Sequence, residues 1–215
     1  MAVRSRLVLA LLVVLVLLPT AGARATGPVS ERWVARYDGP GHAGDHGSAV
    51  VADAAGNIYV TGPSWGAAGS HEDYATAKYG PDGALLWVQR YDGPGHAQDI
   101  PTAIALGPAG GVVVTGSSGG AGSGDDFATL AYAPDGTLLW SQRYDGPGHA
   151  RDRAFGLGTD AVGNIYVGGE STGSDGRLEY ATLSYAPDGR LRWVQRASGP
   201  GSAAARVSLS IRPGW

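Results

Sequence analysis

The strongest constraint on this chain is a period. Residues 89–99 read Gln-Arg-Tyr-Asp-Gly-Pro-Gly-His-Ala-Gln-Asp, and nearly the same string stands at 36–45 and 142–152. A further copy begins at Gln195 and loses the match after Gly201. The equivalent positions 37, 91, 144 and 197 are spaced by 54, 53 and 53 residues. A fixed spacing of this size means repeated supersecondary units that bury their faces against one another.

One unit, residues 91–143, shows what repeats. Pro101–Leu106, Gly111–Gly116, Phe127–Tyr132 and Thr137–Tyr144 are short runs rich in apolar and β-branched residues. Gly, Pro, Asn and Asp separate them, which predicts four strands joined by tight turns. The unit before reads Ser48–Asp53, Asn57–Gly62, Tyr74–Tyr79 and Ala84–Tyr91. The unit after reads Ala154–Thr159, Asn164–Gly169, Tyr180–Tyr185 and Arg190–Arg196. No helix start followed by a 3.6-residue period occurs beyond the N-terminal segment.

Four-stranded units of about 40–50 residues build β-propellers. The expected fold is therefore all-β, a partial (open or incomplete) propeller of three four-stranded antiparallel blades. Arg32–Tyr37 is expected as one leading strand of the outermost type, and Arg206–Ile211 as one trailing strand. Three blades are fewer than a closed ring needs. The expectation is a truncated or frame-shifted derivative of a longer propeller. Its rival is an open arc that self-associates to complete the ring.

The first 25 residues read as a secretory signal peptide. Arg4 and Arg6 precede the apolar run Leu7–Leu18, and Ala23-Arg24-Ala25 is a small-x-small cleavage site. Residues 26–32 are then a short linker, 33–201 the repeats, and 202–215 a degenerate tail or the start of a further blade. Cleavage after Ala25 removes three arginines and takes the formal charge from -3 to -6. A mildly acidic surface argues against nucleic acid or an anionic membrane as a partner. The expected location is secreted, cell-surface or periplasmic. There is no Cys, so the fold rests on its core without disulfides.

The runs Asn57–Gly62, Asn164–Gly169, Asp73–Tyr79 and Leu86–Gly93 resemble the bacterial seven-bladed β-propeller (SBBP) repeat family over residues 33–201. The resemblance implies an extracellular or surface bacterial propeller, of a family largely without assigned activity. Three units against the implied seven is the departure from it. A weaker likeness is to quinoprotein-type propellers, which share a Gly-x-x-x-Trp outer strand.

Trp33, Trp87, Trp140 and Trp193 recur with the repeat and are expected to fill the space between blades. Pro81-Asp82-Gly83, Pro134-Asp135-Gly136 and Pro187-Asp188-Gly189 are hairpin turns. Each supplies one carboxylate, too few for calcium. The pairs His42/Asp45, His96/Asp99 and His149/Asp152 have the residue types for metal binding or proton sharing. Their recurrence in each unit favours a loop-fixing role, the Asp bonding backbone amides and the His acting within the turn. His46 is peculiar to the first unit and makes a zinc candidate with His42 and Asp45.

What does not recur is the loop between the second and third strands. Trp65, His71, Asp125, Asp175 and Arg177 are its side chains with recognition value, on the same face as the Gly-Pro-Gly-His turns. No nucleophile elbow, phosphate loop or zinc-protease motif is present, so no catalytic residue, metal or cofactor is expected. The chain reads as a non-catalytic module for an extracellular protein or glycan. The alternatives are a fragment of a quinoprotein-like or hydrolytic propeller enzyme, or a remnant without independent function.

Overall fold

The computed structural model describes residues 31–67, 71–107 and 110–198. They form three four-stranded antiparallel sheets, each in sequential order. The first blade contains β1 (Ala49–Ala52), β2 (Ile58–Trp65), β3 (Glu72–Tyr79) and β4 (Leu85–Tyr91). The second contains β5 (Asp99–Leu106), β6 (Val112–Gly119), β7 (Asp125–Tyr132) and β8 (Leu138–Tyr144). The third contains β9 (Asp152–Thr159), β10 (Ile165–Thr172), β11 (Leu178–Tyr185) and β12 (Leu191–Ala197). The sheets do not close into a ring, so the fold is a partial β-propeller. Among the described residues no helix is long and apolar enough to cross a membrane.

Alternation along each strand sorts its side chains to two neighbours. In β6, Val112 and Val114 face the first blade, where they meet Tyr59, Tyr74 and Trp87. Val113, from the other face of the same strand, packs with Phe127 against Ile165, Val167 and Leu183 of the third blade. Every residue of β6 is buried as a result. The same positions recur one period apart, so both interfaces are one design used twice.

The turns take the form their residues require. Asp135 Oδ1 accepts from Thr137 N at 2.9 Å, and Gly136 sits at φ 90°. The Trp of the preceding blade lies over that glycine. Trp87 donates Nε1 to Pro134 O at 3.1 Å, and a Cβ on Gly136 would stand 2.9 Å from its ring. Trp140 treats Pro187 and Gly189 in the same way. The outer hairpin of each blade carries a register shift at the same repeat position, after Lys78, Ala131 and Ser184. Such a bulge bends and twists the outer strand.

Two sequence expectations change. Gly62, Gly116 and Gly169 do not end the second strands, which continue to Trp65, Gly119 and Thr172. These glycines lie where the inner strand's backbone crosses closely. A Cβ would come within 2.0 Å of Ile100 O at Gly116 and of Arg153 O at Gly169. A strand glycine marks close backbone approach as readily as a strand end.

The leading segment Arg32–Tyr37 is not a strand. Its side chains nevertheless occupy the outer-strand positions of a blade. Trp33 donates to Pro81 O at 3.1 Å, and Tyr37 OH accepts from Arg90 at 3.3 Å. A ladder needs a neighbouring strand, and among the described residues none pairs with it. The trailing strand Arg206–Ile211 lies outside the described residues.

Candidate binding face

The Gly-Pro-Gly-His turns and the ends of the second strands share one face. Gly41 N donates to Trp65 O at 3.3 Å, Gly95 N to Gly119 O at 3.2 Å, and Gly148 N to Thr172 O at 3.1 Å. Each histidine follows a turn closed by its own amide, as in His96 N to Gly93 O at 3.0 Å. His42, His96 and His149 all take the left-handed conformation, with φ of 48°, 46° and 47°. That region is uncommon for a non-glycine residue and needs support.

The support comes from a different aspartate than the one three residues on. His42, His96 and His149 donate from Nδ1 to Asp38, Asp92 and Asp145, at 2.8, 2.8 and 2.7 Å. This hydrogen bond raises the pKa of His96 and of His149 above the ordinary imidazole value. Asp45, Asp99 and Asp152 turn inward. They accept from the amides of Gly39, Gly93 and Gly146. Asp99 also accepts from Gly119 N at 3.1 Å, and Asp152 from Thr172 N at 2.8 Å. Asp99 and Asp152 are fully buried, and desolvation raises the Asp99 pKa. Each aspartate three residues after a histidine thus bonds backbone amides, and the histidine pairs with the aspartate four residues before it. The Cα–Cα order of a turn is visible in sequence, but the direction in which its side chains leave is not.

A recurring arginine lies beneath this layer. Arg143 donates to Asp126 Oδ2 at 2.7 Å, to Ser118 O at 2.9 Å, to Ser118 Oγ, and to Tyr91 OH of the preceding blade at 3.2 Å. Arg90 does the same with Asp73, Ser64 and Tyr37, and Arg196 with Glu179, Ser171 and Tyr144. Sequence reasoning passed over this arginine, although Gln-Arg repeats at 89, 142 and 195. The carboxylates meet in two clusters, Asp73/Asp92/Asp99 and Asp126/Asp145/Asp152, with oxygens within 4.8 Å of one another. Each of these side chains has an amide, arginine or histidine partner. Among the described residues the zinc candidate His42/Asp45/His46 is not brought together.

The non-recurring residues are dispersed along the face. Trp65 ends β2 and is partly exposed, and His71 is an exposed residue just before β3. Asp175 and Arg177 form an exposed hairpin turn, with Asp175 Oδ1 accepting from Arg177 N at 3.0 Å. Asp125 begins β7 and pairs with Arg153 of the next blade, accepting from Nε at 3.2 Å and Nη2 at 3.0 Å. This last pair opens on a cleft between blades, of about 270 Å³, with Gln98, Ile100, Ser117 and Phe155 among its walls. A second cleft of about 280 Å³ lies beside the leading segment, between Trp33 and Tyr37 on one side and Ile58, Val60 and Ala77 on the other.

The class the fold defines is an open propeller. No protein-family model matches this chain, and comparison with characterised proteins returns no match.

Proposed function

We propose that this chain is an exported, non-catalytic binding module of the bacterial seven-bladed propeller-repeat type. One observation carries the reading. The histidines, arginines and inward aspartates recur at 53–54 residues and hold turns and blade junctions. A reaction centre needs a unique constellation, whereas these groups are repeated and occupied with one another. The side chains that break the repeat are spread along the face of the Gly-Pro-Gly-His turns, and non-repeating residues on one face are where recognition is built on a repeat scaffold.

The partner in this reading is an extracellular protein or a glycan. The test is an array of glycans and peptides probed with the labelled protein, residues 26–215. Saturable binding to one class supports the reading. Substrate turnover, or no retained ligand, overturns it. Export is checked separately by N-terminal sequencing of the protein recovered outside the cytoplasm, which should begin at Thr26. Self-association to complete the ring belongs to the same proposal, and a monomer by light scattering removes it.

A further inference from the structure

We infer that the cleft between the innermost strands of the second and third blades, β5 and β9, binds a single neutral sugar ring. The inference rests on the binding-module reading and names the ligand class and the site.

The cleft is lined by residues that depart from the repeat. The positions of Arg153 and Phe155 are held by Ile100 and Thr102 one period earlier, and by His46 and Ser48 before that. The position of Asp125 is Glu72 in the first unit and Leu178 in the third. The identities of Arg153, Phe155 and Asp125 do not follow the repeat, although Asp125–Arg153 joins two blades as Glu72–Gln98 does one period earlier, and all three line one cavity.

Each wall has a separate chemical meaning. Phe155 is 40% exposed at the bulge of β9 opposite Gly168 and Gly169, and it lines the same cleft as Arg153. An aromatic ring held at the wall of a cleft offers a platform for an apolar ligand face, such as the C–H face of a pyranose. Asp125 accepts both guanidinium bonds at Oδ2. Among the described residues this leaves Asp125 Oδ1 as an acceptor and Arg153 Nη1 as a donor. Gln98, another wall of the cleft, donates Nε2 to Glu72, which leaves its Oε1 as a further acceptor. Alternating donors and acceptors beside an aromatic face suit vicinal hydroxyl groups.

Charge and size narrow the class. Asp125 and Arg153 neutralise one another, so an anionic sugar would have to displace Asp125 from its partner. The cavity, about 270 Å³, lies just below the range of drug-sized ligand pockets and favours one ring over a chain.

The test uses variants that the scaffold already accepts elsewhere. Arg153→Ile and Phe155→Thr install the residues of the preceding unit, so the fold should survive, as circular dichroism will confirm. Methyl glycosides of glucose, galactose, mannose and N-acetylglucosamine are titrated into the wild type and both variants, followed by the amide signals of β5 and β9. Glucuronic acid is the anionic comparison. The expected result is binding of at least one neutral glycoside, weakened about tenfold or more by each variant. Equal binding by wild type and variants overturns the cleft while leaving a binding module. Preference for glucuronic acid overturns the neutral-ligand assignment. No binding by any sugar, with a peptide retained on the array, overturns the inference alone. An empty array overturns the binding-module reading with it.

Discussion

Arg143 ties its own strand β8 to three others, β4, β6 and β7, across two blades, and its removal is the sharpest test of how the arc is held. Its side chain is 23% exposed, while the Asp126 side chain it neutralises is 5% exposed. Asp126 Oδ2 also accepts from Ser123 Oγ at 2.9 Å, but Oδ1 is buried without a partner. Desolvation raises the Asp126 carboxyl pKa even with the arginine present. In Arg143→Met the packing stem remains and the charge goes. An uncompensated buried carboxylate costs about 3–5 kcal/mol. The exposed Arg190–Asp188 pair, at 3.8 Å, sets the comparison, and its loss should cost about 0–1 kcal/mol. Urea unfolding followed by tryptophan fluorescence reads both. The pH dependence distinguishes desolvation from lost packing. Without Arg143 the folded pKa of Asp126 rises further above its unfolded value. The penalty is then absent below the unfolded pKa and grows as pH rises through the folded one. The deficit of Arg143→Met should therefore be larger at pH 7 than at pH 4, and Asp126→Asn in the same background should recover part of it at pH 7. A deficit below about 1 kcal/mol, or one equal at both pH values, refutes the reasoning.

Three further outcomes are expected. Trp140→Ala should cost about 3–5 kcal/mol, because its ring covers Gly189 and contacts Tyr185, whereas Trp193→Ala should cost much less, its ring being 37% exposed; paired denaturation curves check the ordering. Gly136→Ala should lower stability more than Gly176→Ala, since both glycines have positive φ but only Gly136 lies under a tryptophan ring; the melting temperatures of the two variants decide it. His96 and His149 have pKa values raised by their hydrogen bonds to Asp92 and Asp145, so their contribution is complete below the ordinary imidazole value and lost as pH rises through the folded one. The double variant His96→Gln/His149→Gln should thus narrow its stability gap to the wild type between pH 5.5 and pH 8.5, and a gap that widens would contradict the assignment.

Much of this architecture was legible from the period. The four runs per unit, the Pro-Asp-Gly turns and the tryptophan positions follow from β-branched content and turn chemistry, which act over a few residues. The strand ends were less legible. Gly116 has the same local signature whether it ends a strand or passes under a neighbouring backbone, and only the nearness of Ile100 O distinguishes the two. The leading segment shows the converse. Trp33 and Tyr37 repeat the outer-strand residues, but a strand is a property of a pair, and among the described residues its partner is missing.

The candidate site divides in the same way. His42, Asp45 and their repeats could be picked from the sequence because rare residue types stood at fixed spacing. Their pairing could not, because the left-handed histidine turns its ring back toward Asp38, Asp92 or Asp145. Asp125 reads in sequence as a non-recurring loop residue, but it begins a strand and is tied to Arg153, 28 positions away. The sequence by itself determined a repeating four-stranded unit and the turns that punctuate it, since those depend on neighbours along the chain. Tertiary structure alone decided which carboxylate each histidine and arginine meets, and which odd residues share a cleft, because those contacts join groups that only stacked blades bring together.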